Sequence, residues 1–422
     1  MEWLQNITLP QSLEHIELLY YLLVISLFIF ISFVSVIFCG TGLSVYFKVN
    51  EKKYLDDNYR NLSKDIIDIV TINKNTGVIL GIVPLITAIL IFAQLFQSAE
   101  ITNLDYLTAS LVLLSVALFF IYDYRNSLSD LKQLRLSSGI AGFIILFFAL
   151  WLFVTGMTVA VFHGHWRPQG LFSDLFSSLV ILRFIFLFVA SLSVTGSAVL
   201  FGLFFPIGKR AKAVNGYAEF VKSRMLKVTF TTAILLPLII FANLFVVPDT
   251  ALSGAIFAYI IIGMFLLFLS YHFLYMIFAR FSSKFTVLLF FSLLLMLLTV
   301  IINDNIIISN TTKVQSAVIA VKYDELLTEL KGEDIEVELN GEEIYKVRCA
   351  SCHKFDVKLV GPSHNEVVPK YFGKKELLLA FIKNPTRVDE RYPPMPNPGL
   401  KPAEAKAVAD YVLEQVKKNV EK

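Results

Sequence analysis

The chain has 422 residues, 56% hydrophobic and only 17% charged, with a formal net charge of +3 at pH 7 and a mean hydropathy of +0.67. Ordinary soluble domains are about 45–50% apolar and about 25% charged, so the excess has to face lipid rather than fill one core. Its 20 Gly and 14 Pro exclude a collagen-like or disordered chain, and 3 Cys are too few for a disulfide scaffold.

From the N-terminus, Met1–His15 holds two Glu and no Lys or Arg. A cleavable signal peptide needs a basic region ahead of its apolar stretch, so the first apolar segment is expected to stay in the mature protein. Solid apolar runs then predict eight membrane spans, near Ile16–Phe47, Thr76–Phe96, Leu107–Tyr122, Gly139–Phe162, Leu175–Phe205, Val228–Val247, Leu252–Phe278 and Phe285–Ile302. Barrel strands would alternate apolar with polar residues, so these runs are helices.

Basic residues fall in every second loop. Lys48, Lys52, Lys53, Arg60, Lys64 and Lys74 follow span one, and Arg125, Lys132 and Arg135 follow span three. Lys209, Arg210, Lys212, Lys222, Arg224 and Lys227 follow span five, and Arg280 and Lys284 follow span seven. The opposite loops hold a single basic residue, Arg167. Basic loops stay cytoplasmic, which predicts that both chain ends lie outside. The expected domains are 1–303 in the membrane, a linker over 304–338 with an amphipathic stretch near Val314–Leu330, and a soluble domain over 339–422.

In that last domain stands Cys349-Ala350-Ser351-Cys352-His353. Two thiols three positions apart can each join one vinyl group of a haem, and the following histidine can ligate the iron; this is the spacing of c-type haem attachment. The same CxxC pair can be half of a zinc site or a thioredoxin-like redox pair. Zinc would need more ligands, whereas this domain has no further Cys and only His364 nearby. A redox pair would need a βαβ setting that so short a domain cannot hold.

From Leu339 to Val420 the sequence resembles class I cytochromes c. Asn340-Gly341-Glu342-Glu343-Ile344-Tyr345 resembles the start of their first helix, and Gly361-Pro362 their Gly-Pro. Tyr392-Pro393-Pro394-Met395-Pro396 resembles their Met-Pro segment, and Pro402–Val416 their closing helix, with Tyr411 as its aromatic and Lys374–Ile382 as the intervening helix. The resemblance implies one covalent haem c, axial ligands His353 and Met395, and a Pro362 carbonyl that orients His353. It also implies a small all-α fold for this domain; with the apolar runs read as helices, the expected fold is all-α, an eight-helix transmembrane bundle followed by a small all-α cytochrome c domain. His364 is the other candidate sixth ligand and is read as a surface residue of the loop after Gly361.

The membrane half carries His15, His163, His165 and His272. A haem b needs facing ligands, and His272 has no partner at its depth, so haem b is not expected; His272 is read as hydrogen-bonded between helices and Cys39 as a small buried hydrophobe. Arg183 sits inside span five, where charge is costly. With Asp174, His163 and His165 it could form a polar pocket for a quinol headgroup or ligate a haem b there, against the plainer reading of a snorkelling Arg183 in a structural ion pair. Thr76-Gly77-Val78 and Leu182-Arg183-Phe184 make the layout similar to membrane c-type cytochromes related to cytochrome bd subunit I. Span five, however, has no haem-ligand histidine and no quinol-loop signature is present, so oxygen reduction is not expected.

The reading is a monohaem c-type cytochrome of the bacterial cytoplasmic membrane, with both termini periplasmic. It would transfer electrons as a subunit of a respiratory complex, as a carrier more than an enzyme by itself. Expected partners are a soluble cytochrome, an oxidase or a dehydrogenase subunit, with a membrane quinone left open; nucleic acid is excluded. Two rivals remain. One is a quinol-oxidising subunit that feeds its own haem; the other is a haem-based sensor, against which Met395 argues because a sensor wants a free sixth position.

Overall fold

The computed structural model describes residues 8–54, 56–97, 101–129, 136–162, 171–205, 216–247, 251–331 and 340–420. The regular elements among these described residues are all helices, with no strand. They divide into two compact units. One comprises Tyr20–Phe92 and Glu100–Thr311; the other gathers Thr312–Lys422 with Glu2–Leu19 and Ala93–Ala99, as far as these are described.

The first unit carries the membrane spans. Helix α1 (Leu13–Tyr54) is 42 residues long, about twice what the hydrocarbon layer needs at about 1.5 Å per residue. A short amphipathic helix, α2 (Asp57–Val70), follows, capped by the Asp56 side chain. Span two is built in three pieces: α3 (Lys74–Gly77), a π-helical turn at Val78–Ile82 and α4 (Val83–Leu95). Then come α5 (Asn103–Ser129), α6 (Leu136–Val161), the short α7 (Leu171–Leu175) and α8 (Ser178–Phe204). Span six is α9 (Tyr217–Ala233) continued by α10 (Leu236–Leu244), with Pro237 in the first turn of α10. The last spans are α11 (Gly254–Ala279) and α12 (Ser283–Thr311). Among the described residues, eight helices are therefore long and apolar enough to cross a membrane, as the hydropathy predicts.

Lipid offers no hydrophobic drive between helices, so close packing and hydrogen bonds must hold the bundle. Helices α5 and α6 show how. A β-carbon at Gly142 would come within 2.8 Å of Ile121, and one at Gly156 within 2.9 Å of Leu107. Between them Ser110 donates to the Ala149 carbonyl at 2.7 Å. Some other buried hydroxyls are paired the same way, as in the Ser44–Ser63 bond at 3.1 Å. Cys39 is 2% exposed, the buried hydrophobe expected. His272, by contrast, lies exposed on the surface of α11 and makes no hydrogen bond among the described residues. The interhelical bond expected for it is absent there, because the helix turns it outward.

Two boundaries differ from expectation. Helix α12 continues past Ile302 to Thr311, which carries Asn303, Asp304 and Asn305 inside the helix. The expected linker is mostly helix, since Lys313–Leu330 forms α13. The amphipathic stretch read near Val314–Leu330 is this helix. Its buried side, with Ala317, Ile319, Ala320 and Val321, serves a protein core rather than lipid.

The second unit also holds α14 (Gly341–Arg348), α15 (His364–Val367), a 3-10 turn at Pro369–Tyr371, α16 (Lys375–Lys383) and α17 (Pro402–Val420). Val321 of α13 joins Tyr345, Val368, Leu378, Leu379, Ile382 and the α17 stripe Ala405, Val408, Ala409, Val412 and Val416 in one core. The spacing of that stripe is the i, i+3, i+4 pattern of one helix face. Lys383 of α16 also pairs with Asp324 of α13.

Candidate functional site

The site begins at the end of α14. The Asn340 side chain caps that helix, accepting from the amides of Glu342 and Glu343 at 3.1 and 3.4 Å. At the other end the Tyr345 carbonyl accepts from both Cys349 and Ala350, at 2.8 and 2.9 Å. The Cys349 carbonyl then accepts from Cys352 and His353, at 3.1 and 3.0 Å. This tight turn sets the two thiols one turn apart and delivers His353 directly after them. Both cysteines are of intermediate exposure and form no disulfide.

The chain returns to the turn at Gly361, whose amide donates to the Cys352 carbonyl at 3.0 Å. The next residue orients the histidine: His353 Nδ1 lies 3.1 Å from the Pro362 carbonyl oxygen. A carbonyl only accepts, so Nδ1 carries the proton and Nε2 keeps its lone pair. Gly361 is there because nothing larger fits. A β-carbon on it would stand 2.3 Å from His353 Cε1 and 2.7 Å from Nδ1. From behind, the Tyr345 hydroxyl donates to the His353 carbonyl at 3.0 Å.

Cys349, Cys352, His353, Gly361, Pro362 and Met395 all line one cavity of about 310 Å³. Met395 reaches it from the helix-free stretch between α16 and α17, where the Asn397 side chain accepts from the Gly399 amide at 2.9 Å and Gly399 takes φ +65°. Leu378, Ile382, Val408 and Val412 supply apolar wall. Burial, and then the neighbouring Cys352, push the Cys349 thiol up. Burial also raises the Tyr345 hydroxyl, with Cys349 and Tyr411 adding to it.

His364 is not the surface loop residue expected. It opens α15, lines the same cavity and stacks on His353 with ring centroids 5.0 Å apart and planes at 14°. Burial, and then His353, lower it to about 4. Hydropathy treats a histidine beside Ser and Asn as polar surface; only the return of the chain at Gly361 brings it under Tyr345 and His353. The sequence reading also passed over Lys370 and Arg387, which line the cavity from separate elements and belong to no motif.

A haem is the group this donor set fits. It offers two thiols for thioether bonds, an imidazole with its free nitrogen fixed, and a thioether sulfur, all in an apolar-walled space. Among the described residues no cluster of three or more His, Cys, Asp or Glu could hold a bare metal ion.

Of the membrane residues selected from sequence, the two described ones, Asp174 and Arg183, are not paired with each other. Arg183 of α8 forms its ion pair with Asp304 of α12, not with Asp174. Asp174 is buried and accepts from the Tyr106 hydroxyl at 3.0 Å. His163 and His165 lie outside the described residues. Asp304 was missed because a span ending at Ile302 leaves it in the linker.

The family model described as Cytochrome c matches residues 339–415. Cytochrome c-551 of Azotobacter vinelandii is 44% identical over 77 residues, covering 17% of this chain and 94% of that protein. Cytochrome c-551 of Pseudomonas denitrificans is 36% identical over 78 residues, with 17% and 94% covered. Cytochrome c-552 of Nitrosomonas europaea is 35% identical over 72 residues, with 16% and 70% covered. No solved structure gives a significant match.

Proposed function

The chain belongs, through its C-terminal domain, to the class I c-type cytochromes, and from that premise we propose that it is a membrane-bound monohaem cytochrome moving electrons at the periplasmic face of a bacterial cytoplasmic membrane. A cytochrome c domain carries covalent haem and transfers electrons, and eight apolar helices place the rest of the chain in a membrane. In the proposed arrangement Cys349 and Cys352 would hold the haem by thioether bonds, and His353 and Met395 would ligate its iron.

The observation that carries this reading is the bond between His353 Nδ1 and the Pro362 carbonyl, 3.1 Å long. A ligand histidine almost always donates its other ring nitrogen to a fixed acceptor, which sets tautomer and ring orientation and raises basicity. Here that acceptor is backbone, and Gly361 lets it approach. When bound, haem supplies a one-electron couple, and His/Met ligation sets it at high potential relative to two nitrogen ligands. The residues do the rest. Apolar wall from α16 and α17 keeps water off, and Tyr345 anchors the turn below His353. The alternation of basic loops supports an external domain, where soluble redox proteins can reach it. The partners this suits are a soluble cytochrome, or an oxidase or dehydrogenase subunit of a respiratory complex.

Haem-linked peroxidase staining of the denatured full-length protein tests the covalent bond. Stain is expected on the wild type and lost in the Cys349→Ala/Cys352→Ala double variant; an unstained wild type refutes the reading. Met395→Ala is expected to keep the stain while losing the low-spin sulfur-ligated spectrum. An unchanged axial-ligand spectrum would remove Met395 from its role.

A further inference from the structure

The membrane unit contains a second cavity, of about 120 Å³, lined from α1, α6, α8, α10, α11 and α12. Phe153, Met157 and Leu187 contribute apolar wall, while Arg183, Asp304, Asn303 and Tyr259 make one side polar. Arg183 lies in the first turns of α8 and Tyr259 near the start of α11; Asn303 and Asp304 lie near the end of α12. Antiparallel neighbours put these positions at one end of the bundle, the end at which the chain leaves α12.

The hydrogen bonding of this polar side is incomplete. Arg183 donates to Asp304, in a pair whose side chains are 15% and 23% exposed. That uses part of a guanidinium with five N–H donors, and no other hydrogen bond to Arg183 occurs among the described residues. Asn303 Oδ1 is a buried acceptor with no hydrogen-bond partner. Buried polar atoms are nearly always satisfied, and an exception calls for a ligand or a water. Tyr259 also makes no hydrogen bond among the described residues.

We propose that this cavity binds the ring headgroup of a membrane quinone, in its quinol or quinone form. The apolar wall suits the ring, the spare Arg183 donors face a ring oxygen that accepts, and Asn303 Oδ1 accepts a hydrogen bond from a ring hydroxyl. A phospholipid headgroup fits less well. Asp304 already pairs with Arg183, which leaves no net positive charge for a phosphate. The choice of a redox-active lipid over other hydroxylated lipids rests on the reading of the second unit as an electron carrier.

The test is equilibrium binding of decylubiquinone and of menadione to the full-length protein in phospholipid nanodiscs, alongside haem-linked peroxidase staining of the same samples. Saturable binding of at least one quinone above empty nanodiscs is expected. Asn303→Leu, which leaves the ion pair intact, and the charge-balanced pair Arg183→Leu/Asp304→Leu are each expected to raise Kd about tenfold or more with unchanged staining. No saturable binding, meaning water alone fills the cavity, overturns the proposal. So does an unweakened Kd in Asn303→Leu, or a co-purified phospholipid that neither quinone displaces. Binding that persists in protein without haem stain supports the site and defeats the carrier reading instead.

Discussion

At Gly361 the chain has no room for a β-carbon, and the obstacle is the ring of His353 itself, 2.3 Å from where that carbon would stand. The ring cannot yield freely, since its Nδ1 is bonded to the Pro362 carbonyl. Gly361→Ala should therefore tilt or expel His353 at a cost of about 1–3 kcal/mol, the usual range for overpacking. Haem content per chain and the thermal midpoint would both fall; an alanine variant with full haem loading and an unchanged spectrum would show that the loop gives way instead. Tyr345 works from the other side, donating to the His353 carbonyl while its ring packs 5.5 Å from that of Tyr411. Tyr345→Phe keeps the packing and removes one hydrogen bond. Its expected cost is about 1 kcal/mol in denaturant unfolding, with haem attachment retained.

Among elements, α14 and α17 cross almost backbone to backbone. A β-carbon on Gly341 would lie 2.2 Å from the carbonyl oxygen of Ala407, an atom that belongs to a helix ladder and cannot rotate aside. Gly341→Ala should therefore force the helices apart and cost about 1–3 kcal/mol, measured by thermal unfolding of the full chain. An effect below the experimental error would mean that the crossing is looser than the geometry requires. Helix α13 is the second case. Its Val321 is 3% exposed within the cytochrome core, and Asp324 pairs with Lys383, so the domain extends beyond the 339–415 matched by the family model. Val321→Ala deletes buried methyl groups and should lower domain stability by about 2 kcal/mol, transfer and cavity terms together. A plain linker would tolerate it, and that outcome would return α13 to the status of a tether.

Over the whole molecule the distribution of charge sets topology. The basic loops after spans one, three, five and seven predict that an alkaline phosphatase fused after Lys422 is active, whereas one inserted in the loop after span one is inactive. The reverse pattern would place the cytochrome domain on the cytoplasmic side and end the proposed role.

The sequence alone determined the number and class of the spans, because burial in lipid demands long solid apolar runs that no other fold produces. It also determined the haem motif, because Cys349, Cys352 and His353 are local to one turn and need no distant partner to be recognised. Gly361, Pro362 and Met395 were legible only through resemblance to a family, and the fold gathers them at one cavity. Tertiary structure decided what depends on contacts between distant residues. Arg183 chose Asp304, 121 positions away, over the nearer Asp174; His364 was drawn from presumed surface onto His353; and α13 joined a core that its own mixed composition does not announce. Local chemistry is written in sequence neighbours, whereas the pairing of a charge or the burial of a polar ring depends on which segments the packed chain brings face to face.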